Sequence, residues 1–309
     1  MKNNTKILTI GIPVYNGERY VANAISSLLN QTFEDFDLII SDNASTDRTE
    51  SICRDFMQQD GRVKYHRQEY NRGAYWNFNY LFNQSDSKYF KWAAADDVCG
   101  ERYLQNCIDA LESDPAITCC HSRTASIDAA GVELPDVPDP TDGDKIQLPG
   151  QRRYDASSDI VHLRFHDVLL VTGWGVRLWG VFPRRYLGKT GLMRPFYGAE
   201  KLMMAELASQ GHFHDVPDVQ FFHRVHSEAT SSIGSVKAQN RFSNPNRKRW
   251  QFPLLRKLFG YFIVPLKYQN RISDKAMCYF WILRYLFQVN KWLPVIQNSL
   301  TGRGIRTAR

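Results

Sequence analysis

The sequence lacks the signals that mark several large protein classes. Its six cysteines form no CxxC pair and follow no zinc-site spacing, so we expect them to be reduced, structural thiols. It contains no Gly-rich P-loop, no GxGxxG and no GxSxG, which argues against P-loop NTPases, dinucleotide enzymes and serine hydrolases. No apolar run approaches the roughly 20 residues of a membrane-spanning helix. The segment from Met1 to Lys6 has no apolar stretch, so we expect no signal peptide.

Acidic residues are almost absent from the last part of the chain. Residues 241–309 contain fourteen Lys or Arg and one acid, Asp274, a net charge of +13, whereas the first 240 residues carry −6. This asymmetry predicts a tail that meets an anionic partner. Aromatic residues among the basic ones suit an anionic membrane face. Ordinary helices that close the fold are the alternative, and the acidic body argues against nucleic acid.

Strands and helices alternate through the first hundred or so residues. Apolar runs at residues 7–13, 36–40 and 89–93 are typical of buried strands, and helical periodicity lies between them. This order predicts an α/β fold with a mainly parallel sheet that is flanked by helices. In such sheets, ligands bind at the carboxyl ends of the strands.

Polar clusters follow three of the predicted strands, at residues 13–16, 41–43 and 96–97. Because the carboxyl ends of parallel strands meet at one edge, we expect these clusters to form one site. Two adjacent acids, Asp96 and Asp97, are costly to bury without a cation, and their oxygens suit Mg²⁺ or Mn²⁺. The alternative for these acids, and for the acids and hydroxyls of residues 42–47, is helix capping.

Two further candidates lie in the second half of the chain. Strand alternation places His226 and Arg224 on one face, where the imidazole suits a metal and the guanidinium suits a phosphate. Glu200, at the start of a predicted helix, is a candidate general base for an acceptor hydroxyl. A purely structural histidine and an acid stabilised by the helix dipole are the respective alternatives.

Several segments together resemble family 2 glycosyltransferases of the GT-A fold. The resemblance spans roughly residues 6–232 and rests, in order, on TIGIPVYNGE (9–18), SLLNQT (27–32), SDNASTD (41–47), NRG (71–73) with Asn77, KWAAADD (91–97), the segment 198–213 and RVH (224–226). It implies that Pro13, Tyr15 and Asp42 hold a nucleobase, usually uracil or thymine. It also implies that Arg72 and Asn77 lie along the nucleotide sugar.

The same resemblance implies the chemistry of the site. Asp97 would bind the metal directly, Asp96 would contact the ribose or sugar, and His226 would approach the metal or the diphosphate. Glu200 would be the base of an in-line displacement, with inversion at the anomeric carbon. In this family the position of Ala95 is often Asp.

The base position is also often Asp in this family, whereas the chain has Glu200. Glu206 and Asp215 are therefore the alternative bases. The two departures leave open a nucleotide-sugar-binding or assembly protein that has lost catalysis. A nucleotidyltransferase is disfavoured because no Gly-rich phosphate loop follows the first strand.

The sequence thus predicts a metal-dependent, inverting glycosyltransferase. It would move a sugar from a UDP- or dTDP-sugar to a glycan or lipid-linked glycan, with Mn²⁺ or Mg²⁺ as cofactor. We expect it in the cytoplasm, peripheral on the inner face of the cell membrane, with acceptor choice decided within residues 131–200, including Trp174 and Trp179. The predicted divisions are a Rossmann-like nucleotide-sugar-binding half (1–120), an acceptor-binding and catalytic half (121–235) and a basic, aromatic-rich helical tail (236–309).

Overall fold

The computed structural model describes residues 5–135, 156–171, 175–227, 236–243, 245 and 253–287 of the 309-residue chain. Most of the proline-rich loop predicted within residues 131–150, Trp174 and the end of the basic tail lie outside the described residues. What the sequence predicts for those segments stays a prediction.

Strands and helices alternate as the sequence predicts, with ends that shift by a few residues. The strands are β1 (Leu8–Val14), β2 (Phe36–Asp42), β3 (Val63–Arg67), β4 (Tyr89–Trp92), β5 (Val98–Cys99), β6 (Ile117–Ile127), β7 (Val181–Pro183) and β8 (His212–Arg224). The helices are α1 (Val21–Leu29), α2 (Thr49–Gln59), α3 (Ala74–Asn83), α4 (Tyr103–Ser113), α5 (Val161–His166), α6 (Arg184–Leu187), α7 (Ala199–Ala208), α8 (Val236–Ser243), α9 (Pro253–Tyr268) and α10 (Ile272–Leu286). A π-helical segment, Asp167–Val171, continues α5, and a 3₁₀ turn, Val176–Trp179, precedes β7.

The described strands form one eight-stranded sheet in the order β3-β2-β1-β4-β7-β6-β8-β5. The first four strands of this order pair in parallel, as predicted, and so do β6 and β8. The remaining neighbours, β4 with β7, β7 with β6 and β8 with β5, are antiparallel. The second half of the chain therefore extends the sheet of the first half.

The strand register brings the ends of β1, β2 and β4 to the same edge. Val14, the last residue of β1, lies opposite Asp42, the last residue of β2. On the other side of β1, Gly11 lies opposite Trp92, the last residue of β4. The polar clusters that follow these three strands therefore emerge at one edge of the sheet.

Two hydrophobic cores lie on opposite faces of the sheet, because neighbouring residues of one strand point to opposite sides. In β2, Leu38 and Ile40 enter one core and Ile39 enters the other. Helices α1, α2 and α4 pack on the first core, and α3, α5, α7, α9 and α10 pack on the second. The helical periodicity predicted between the first two strands is confirmed in α1, since Val21, Ile25 and Leu28 are buried in the first core and the partly buried Leu29 packs against it.

The C-terminal helices α9 and α10 have two different faces. Their inner faces enter the second core through Tyr261, Val264, Cys278, Trp281, Ile282 and Tyr285. Around their outer faces the exposed apolar residues are Leu255, Phe259, Ile263, Leu266, Ile272, Phe280, Leu283 and Phe287. Within the described residues, no helix is both long enough and apolar enough to cross a membrane. Closure of the fold thus explains the inner faces of these helices but not the outer ones.

Candidate functional site

The turn after β1 is fastened to the turn after β2. Asn16 and Ala44 adopt left-handed backbone angles, with φ of 51° and 64°. The Asn16 side chain accepts a hydrogen bond from Thr46 N–H (2.9 Å), and Asn16 N–H donates to the Ser45 hydroxyl (2.8 Å). Non-glycine residues persist in this conformation where surrounding contacts hold them, which is common at ligand sites. These hydrogen bonds therefore join the two turns into one continuous surface at the edge of the sheet.

Two residues predicted to hold the nucleobase lie at the end of β1, beside these turns. Tyr15 is 49% exposed, so its ring is accessible to a flat ligand such as a nucleobase. Pro13 is half-buried and lies opposite Ser41 in the β1–β2 register. Both positions suit nucleobase binding, which stays a prediction.

Asp42 is fully buried, and both of its carboxylate oxygens have protein partners. Oδ1 accepts a hydrogen bond from Ser45 N–H (2.8 Å), and Oδ2 accepts one from the Tyr65 hydroxyl (2.6 Å). Burial and this contact with Asp42 raise the pKa of Tyr65. Asp42 thus shapes the turn after β2, and a nucleobase would have to replace or share these partners. Its predicted contact with the base is not tested by these bonds.

Arg72 lies between two aromatic rings close to the same edge. Its guanidinium carbon is 4.7 Å from the Tyr70 ring centre and 4.5 Å from that of Trp76. Its backbone N–H donates to Asn43 Oδ1 (3.0 Å), and its buried Nε has no hydrogen-bond partner among the described residues. A buried donor without a partner is costly, so this side chain is prepared to meet an acceptor such as a phosphate or sugar oxygen.

Asn77 occupies the predicted place but turns its amide toward the protein. Its Nδ2 donates to the Ser41 carbonyl oxygen (2.8 Å), and its Oδ1 accepts from the Ser41 hydroxyl (2.5 Å). The residue is buried, and these bonds tie α3 to the end of β2. This pairing favours a positioning role for Asn77, and direct contact with a nucleotide sugar stays a prediction.

The adjacent acids Asp96 and Asp97 meet the end of β8. Asp97 Oδ1 accepts hydrogen bonds from Arg224 N–H (2.8 Å) and from His223 Nδ1 (3.1 Å). Asp96 Oδ2 lies 2.9 Å from His226 Nε2. The four predicted residues Asp96, Asp97, Arg224 and His226 are therefore brought together, although they are about 130 positions apart in the sequence.

The side chain of Arg224 is fully buried and holds this junction in place. Its Nε donates to the Asp96 carbonyl oxygen (2.8 Å), and one terminal nitrogen donates to the carbonyl oxygen of Asp128 (2.9 Å). The Tyr20 ring lies 4.8 Å from the guanidinium carbon and 4.8 Å from the centre of the His226 ring. Because Nε and one terminal nitrogen are used in these contacts, they favour a supporting role for Arg224, and its contact with a phosphate stays a prediction.

The charge balance at this junction fits a divalent cation. Burial raises the pKa of Asp96, and the charge of Asp97 raises it further. Burial would lower the pKa of His223, but its hydrogen bond to Asp97 and the two negative charges outweigh burial and raise that pKa. Carboxylate oxygens and an imidazole are suitable Mn²⁺ or Mg²⁺ ligands. Within the described residues, no group of three or more His, Cys, Asp or Glu side chains is arranged to hold a metal ion, so ligation by Asp97 and His226 stays a prediction.

Glu200 lies in the first turn of α7, where three elements converge. Its Oε2 accepts a hydrogen bond from the Tyr75 hydroxyl of α3 (2.9 Å). The same hydroxyl accepts a hydrogen bond from Gly198 N–H (3.2 Å), so Tyr75 fixes both the helix start and the carboxylate. The charge of Glu200 also acts on Lys257 of α9. Its predicted role as a base is not tested by these contacts.

The two alternative bases are engaged in ion pairs. Both Glu206 carboxylate oxygens pair with the Arg194 guanidinium, at 2.8 and 3.0 Å, and Glu206 is buried. Asp215 pairs with the buried guanidinium of Arg177. A carboxylate held by arginine is a poor proton acceptor. Glu200 therefore remains the best placed of the three acids.

Sequence reasoning missed four residues of this site. Tyr20, Tyr75, His223 and Lys257 contact or neighbour the predicted residues. His223 lies three positions before His226, so a second histidine is visible in the sequence, but its contact with Asp97 was not predicted. The others carry no local pattern, because their roles depend on how distant elements pack.

Residues 9–158 match the family model described as glycosyl transferase family 2. These residues therefore form a glycosyl transferase family 2 domain. An uncharacterized glycosyltransferase of Haemophilus influenzae is 30% identical over 115 residues, which are 37% of this chain and 36% of that protein. A GalNAc(5)-diNAcBac-PP-undecaprenol beta-1,3-glucosyltransferase of Campylobacter jejuni is 32% identical over 91 residues, 29% of each. The chain thus matches about a third of the length of these relatives.

Solved structures confirm the GT-A fold class predicted from the resemblance. S. aureus TarS 1–349, solved in complex with UDP-GlcNAc, has a TM-score of 0.59 at 12% identity, over 90% of this chain and 71% of that one. The mannosyltransferase PcManGT of Pyrobaculum calidifontis, in complex with GDP-Man and Mn²⁺, has a TM-score of 0.51 at 13% identity, over 97% and 86%. At these identities, the likeness concerns the fold alone.

Proposed function

We propose that this protein is a metal-dependent, inverting glycosyltransferase that uses a UDP- or dTDP-sugar. The observation that carries the proposal is the convergence of three strand ends at one edge of the sheet. At this edge the accessible Tyr15 ring suits a nucleobase. Arg72 Nε, which has no partner among the described residues, suits a phosphate or sugar oxygen. The Asp96–Asp97 pair suits a divalent cation. The complexes of TarS with UDP-GlcNAc and of PcManGT with GDP-Man and Mn²⁺ support the same assignment.

In this proposal, each half of the chain supplies part of the reaction. Tyr15 and Arg72 bind and orient the donor, and Glu200 takes the proton from the acceptor hydroxyl as that oxygen attacks the anomeric carbon. The carbon–oxygen bond to the nucleoside diphosphate breaks on the opposite side, which inverts the configuration. A divalent cation held by Asp97, with His226 as a further ligand, would stabilise the charge of the leaving diphosphate.

Donor binding and catalysis are assigned to the two sequence ranges predicted for the halves. Residues 1–120 bind the nucleotide sugar, and residues 121–235 provide the base and the acceptor site. The Campylobacter relative, whose name specifies an undecaprenol-linked substrate, supports a glycan or lipid-linked glycan as the acceptor. The half-buried ring of Trp179 packs against Phe78 (5.9 Å between ring centres), and its part in acceptor choice stays a proposal.

Calorimetric titration with UDP, with and without Mn²⁺, tests the donor site. Wild-type protein should bind UDP more tightly with Mn²⁺, and Asp97→Ala should lose that gain. Asp109→Ala is a matched control, because Asp109 is an exposed acid on α4 away from the junction. Absence of UDP binding by the wild type, or Mn²⁺-dependent binding that survives in Asp97→Ala, would contradict the proposal.

Glu200→Gln separates catalysis from binding. The substitution keeps the size of the side chain and its hydrogen bond to Tyr75, and it removes the proton-accepting charge. We expect UDP affinity to stay within about twofold and turnover to fall by about 10²–10⁴-fold. Full turnover by Glu200→Gln would exclude this residue as the base. UDP binding without transfer or hydrolysis by the wild type, over many donors, would instead favour an inactive binding or assembly protein.

The outer surface of α9 and α10 supports a peripheral position on an anionic membrane. Phe259 and Leu266 of α9 and Phe287 after α10 are each more than 60% exposed, and the exposed cations Lys267 and Arg284 lie on the same two helices. Apolar contact with the acyl boundary and about 1 kcal/mol per basic residue would hold such a surface on the bilayer. We propose that this surface places the enzyme at the cytoplasmic face.

Flotation with phosphatidylserine-containing vesicles tests this position. The full chain should float, and Phe259→Ser with Leu266→Ser should reduce the recovered fraction. Val132→Ser is the control, because Val132 is equally exposed but lies on the body. Substitution is preferable to truncation, since truncation would also remove the core residues Tyr261 and Trp281. Equal recovery of wild type and double variant would refute the membrane surface.

A further inference from the structure

The backbone of Arg72 is tied to the turn after β2. Its N–H donates a hydrogen bond to Asn43 Oδ1 (3.0 Å), and Asn43 Nδ2 donates to Asn71 Oδ1 (2.9 Å). The same Asn71 oxygen accepts a hydrogen bond from the N–H of Gly73, the N-cap residue of α3 (2.8 Å). The segment that leads into α3 is therefore anchored at the edge of the sheet where the donor site is proposed.

The side chain of Arg72 is held by aromatic rings and not by an acid. Its guanidinium carbon lies over the rings of Tyr70 (4.7 Å) and Trp76 (4.5 Å). Within the part of the chain that the structure describes, Arg72 forms no salt bridge, and its buried Nε has no hydrogen-bond partner. A ring face attracts a cation through its π electrons, and this contact uses none of the N–H groups in the plane of a stacked guanidinium. The charge is therefore held in place while its donors remain available.

The stack continues along α3 to the edge of the described sheet. Arg72 lies just before the helix, and Trp76 and Tyr80 follow at intervals of four residues, which places side chains on one helix face. The Trp76 and Tyr80 rings are stacked, with centres 5.2 Å apart and planes at 22°. The Tyr80 hydroxyl shares a hydrogen bond with Nδ1 of His66 in the edge strand β3 (3.3 Å). Trp76 is therefore supported by a second ring that is itself tied to the sheet.

We propose that Tyr70 and Trp76 are positioning residues that hold Arg72 in place to bind the diphosphate of a nucleotide-sugar donor. A guanidinium without a carboxylate partner keeps its full positive charge, and its planar set of N–H donors matches two oxygens of a phosphate. Because the rings fix the guanidinium without neutralising it, little side-chain entropy is lost when the anion binds. The inference rests on the proposed function in one respect, namely that a nucleoside diphosphate binds at this edge.

Calorimetry with UDP and with uridine, both without Mn²⁺, separates phosphate binding from base binding. Trp76→Leu removes one of the two rings and keeps an apolar side chain. UDP affinity should fall about 5- to 30-fold, because a half-buried cation–π contact lies between the exposed and the desolvated range. Uridine affinity should stay within about twofold, since uridine carries no phosphate. A structural role of the ring alone would reduce both affinities together.

Arg72→Met tests whether the ring acts through the guanidinium. This variant should bind UDP about 10- to 150-fold more weakly, because it loses hydrogen bonds between charged groups, and it should bind uridine as the wild type does. In the Arg72→Met background, Trp76→Leu should cause no further loss of UDP affinity. A loss that persists there would overturn the inference, because the ring would then act without Arg72.

Tyr186→Leu is the matched control. The Tyr186 ring makes a similar contact with Arg185 (4.7 Å), but both residues lie on α6, which follows β7 where that strand meets the start of β4, at the opposite edge of the sheet. This variant should leave both affinities unchanged. Unchanged UDP affinity in Trp76→Leu would overturn the inference. Equal losses for UDP and uridine in Trp76→Leu would also overturn it, because they would assign the stack to the base or to the fold.

A second measurement needs no nucleotide. In ¹⁵N-labelled protein, the Arg72 Nε–H signal, assigned by its loss in Arg72→Met, should be displaced by the ring currents of Tyr70 and Trp76. It should move toward the position of exposed arginines in Trp76→Leu. A wild-type signal already at that position would overturn the inference without any ligand. Wild-type protein that bound UDP no more tightly than uridine would refute the proposed donor site and the diphosphate assignment, while this signal would still decide whether the rings hold Arg72.

Discussion

The contact between α7 and α9 predicts that Gly260→Ala lowers the free energy of unfolding of the wild type but raises it in a Leu202→Ala background. Leu202, whose Cδ2 and Cδ1 would lie 2.2 and 3.0 Å from a Cβ at Gly260, is itself buried. Overpacking of this kind costs about 1–3 kcal/mol. Alanine gains about 1 kcal/mol over glycine within a helix. Gly260→Ala should therefore lower the free energy of unfolding by about 0–2 kcal/mol.

Leu202→Ala removes the atoms that would clash. Alone it leaves a cavity and should cost about 2–5 kcal/mol. In that background, Gly260→Ala meets no obstacle, and the gain in helix propensity should raise the free energy of unfolding by about 1 kcal/mol. The difference between the two effects of Gly260→Ala, a coupling of about 1–3 kcal/mol, measures the contact directly.

Urea unfolding of the four proteins, followed by tryptophan fluorescence, gives this coupling. Gly61→Ala is the control, since nothing lies within 4 Å of a Cβ added there and no loss of stability is expected. Additivity of Gly260→Ala and Leu202→Ala within about 0.5 kcal/mol would refute the reasoning.

Three further predictions concern the donor site, the core and acid stability. Tyr15→Ala should weaken UDP binding about 5- to 150-fold in calorimetry, because base–aromatic stacking contributes about 1–3 kcal/mol; unchanged affinity would exclude Tyr15 from the base site. Arg194→Met leaves the buried Glu206 carboxylate without its partner and should lower the free energy of unfolding in urea by about 3 kcal/mol, and a loss under about 1 kcal/mol would contradict that account. Burial lowers the pKa of His166 to about 4, so the folded protein keeps this imidazole neutral while the unfolded chain protonates it near pH 6.5. Stability should therefore fall as pH drops from about 6.5 to 4, and His166→Gln should lose less stability between pH 7 and 5 in urea titrations, whereas an equal loss would contradict this reasoning.

Local patterns predicted where the site lies. The apolar runs that became β1, β2 and β4 needed only strand periodicity to be recognised, and a parallel arrangement then placed their polar ends at one edge. The match is close because burial of these strands on both faces leaves few alternatives: Leu8, Leu38 and Phe90 are all fully buried. The site's location thus follows from short-range chemistry.

Partners within the site could not be predicted in the same way. The hydrogen bond from Tyr75 to Glu200 joins residues 125 positions apart, and that from Arg224 N–H to Asp97 spans 127. Such contacts depend on the register between elements that fold together from distant parts of the chain. The motifs also said little about side-chain direction. Asn77 stands in its expected place, yet its amide faces Ser41 in the interior.

The contacts between the two halves determine how this protein should respond to substitutions. Asp97 meets Arg224 and Glu200 meets Tyr75, so each half holds a predicted functional acid of the other. Strand β7 of the second half pairs with β4 of the first, which continues the same connection through the backbone. A substitution in one half should therefore alter chemistry assigned to the other. Since α9 packs closely at Gly260 against Leu202 of α7, the helix that carries Glu200, the same reasoning extends to the C-terminal helices. Their packing is then a condition for turnover, and loss of that packing should reduce kcat before it reduces donor binding.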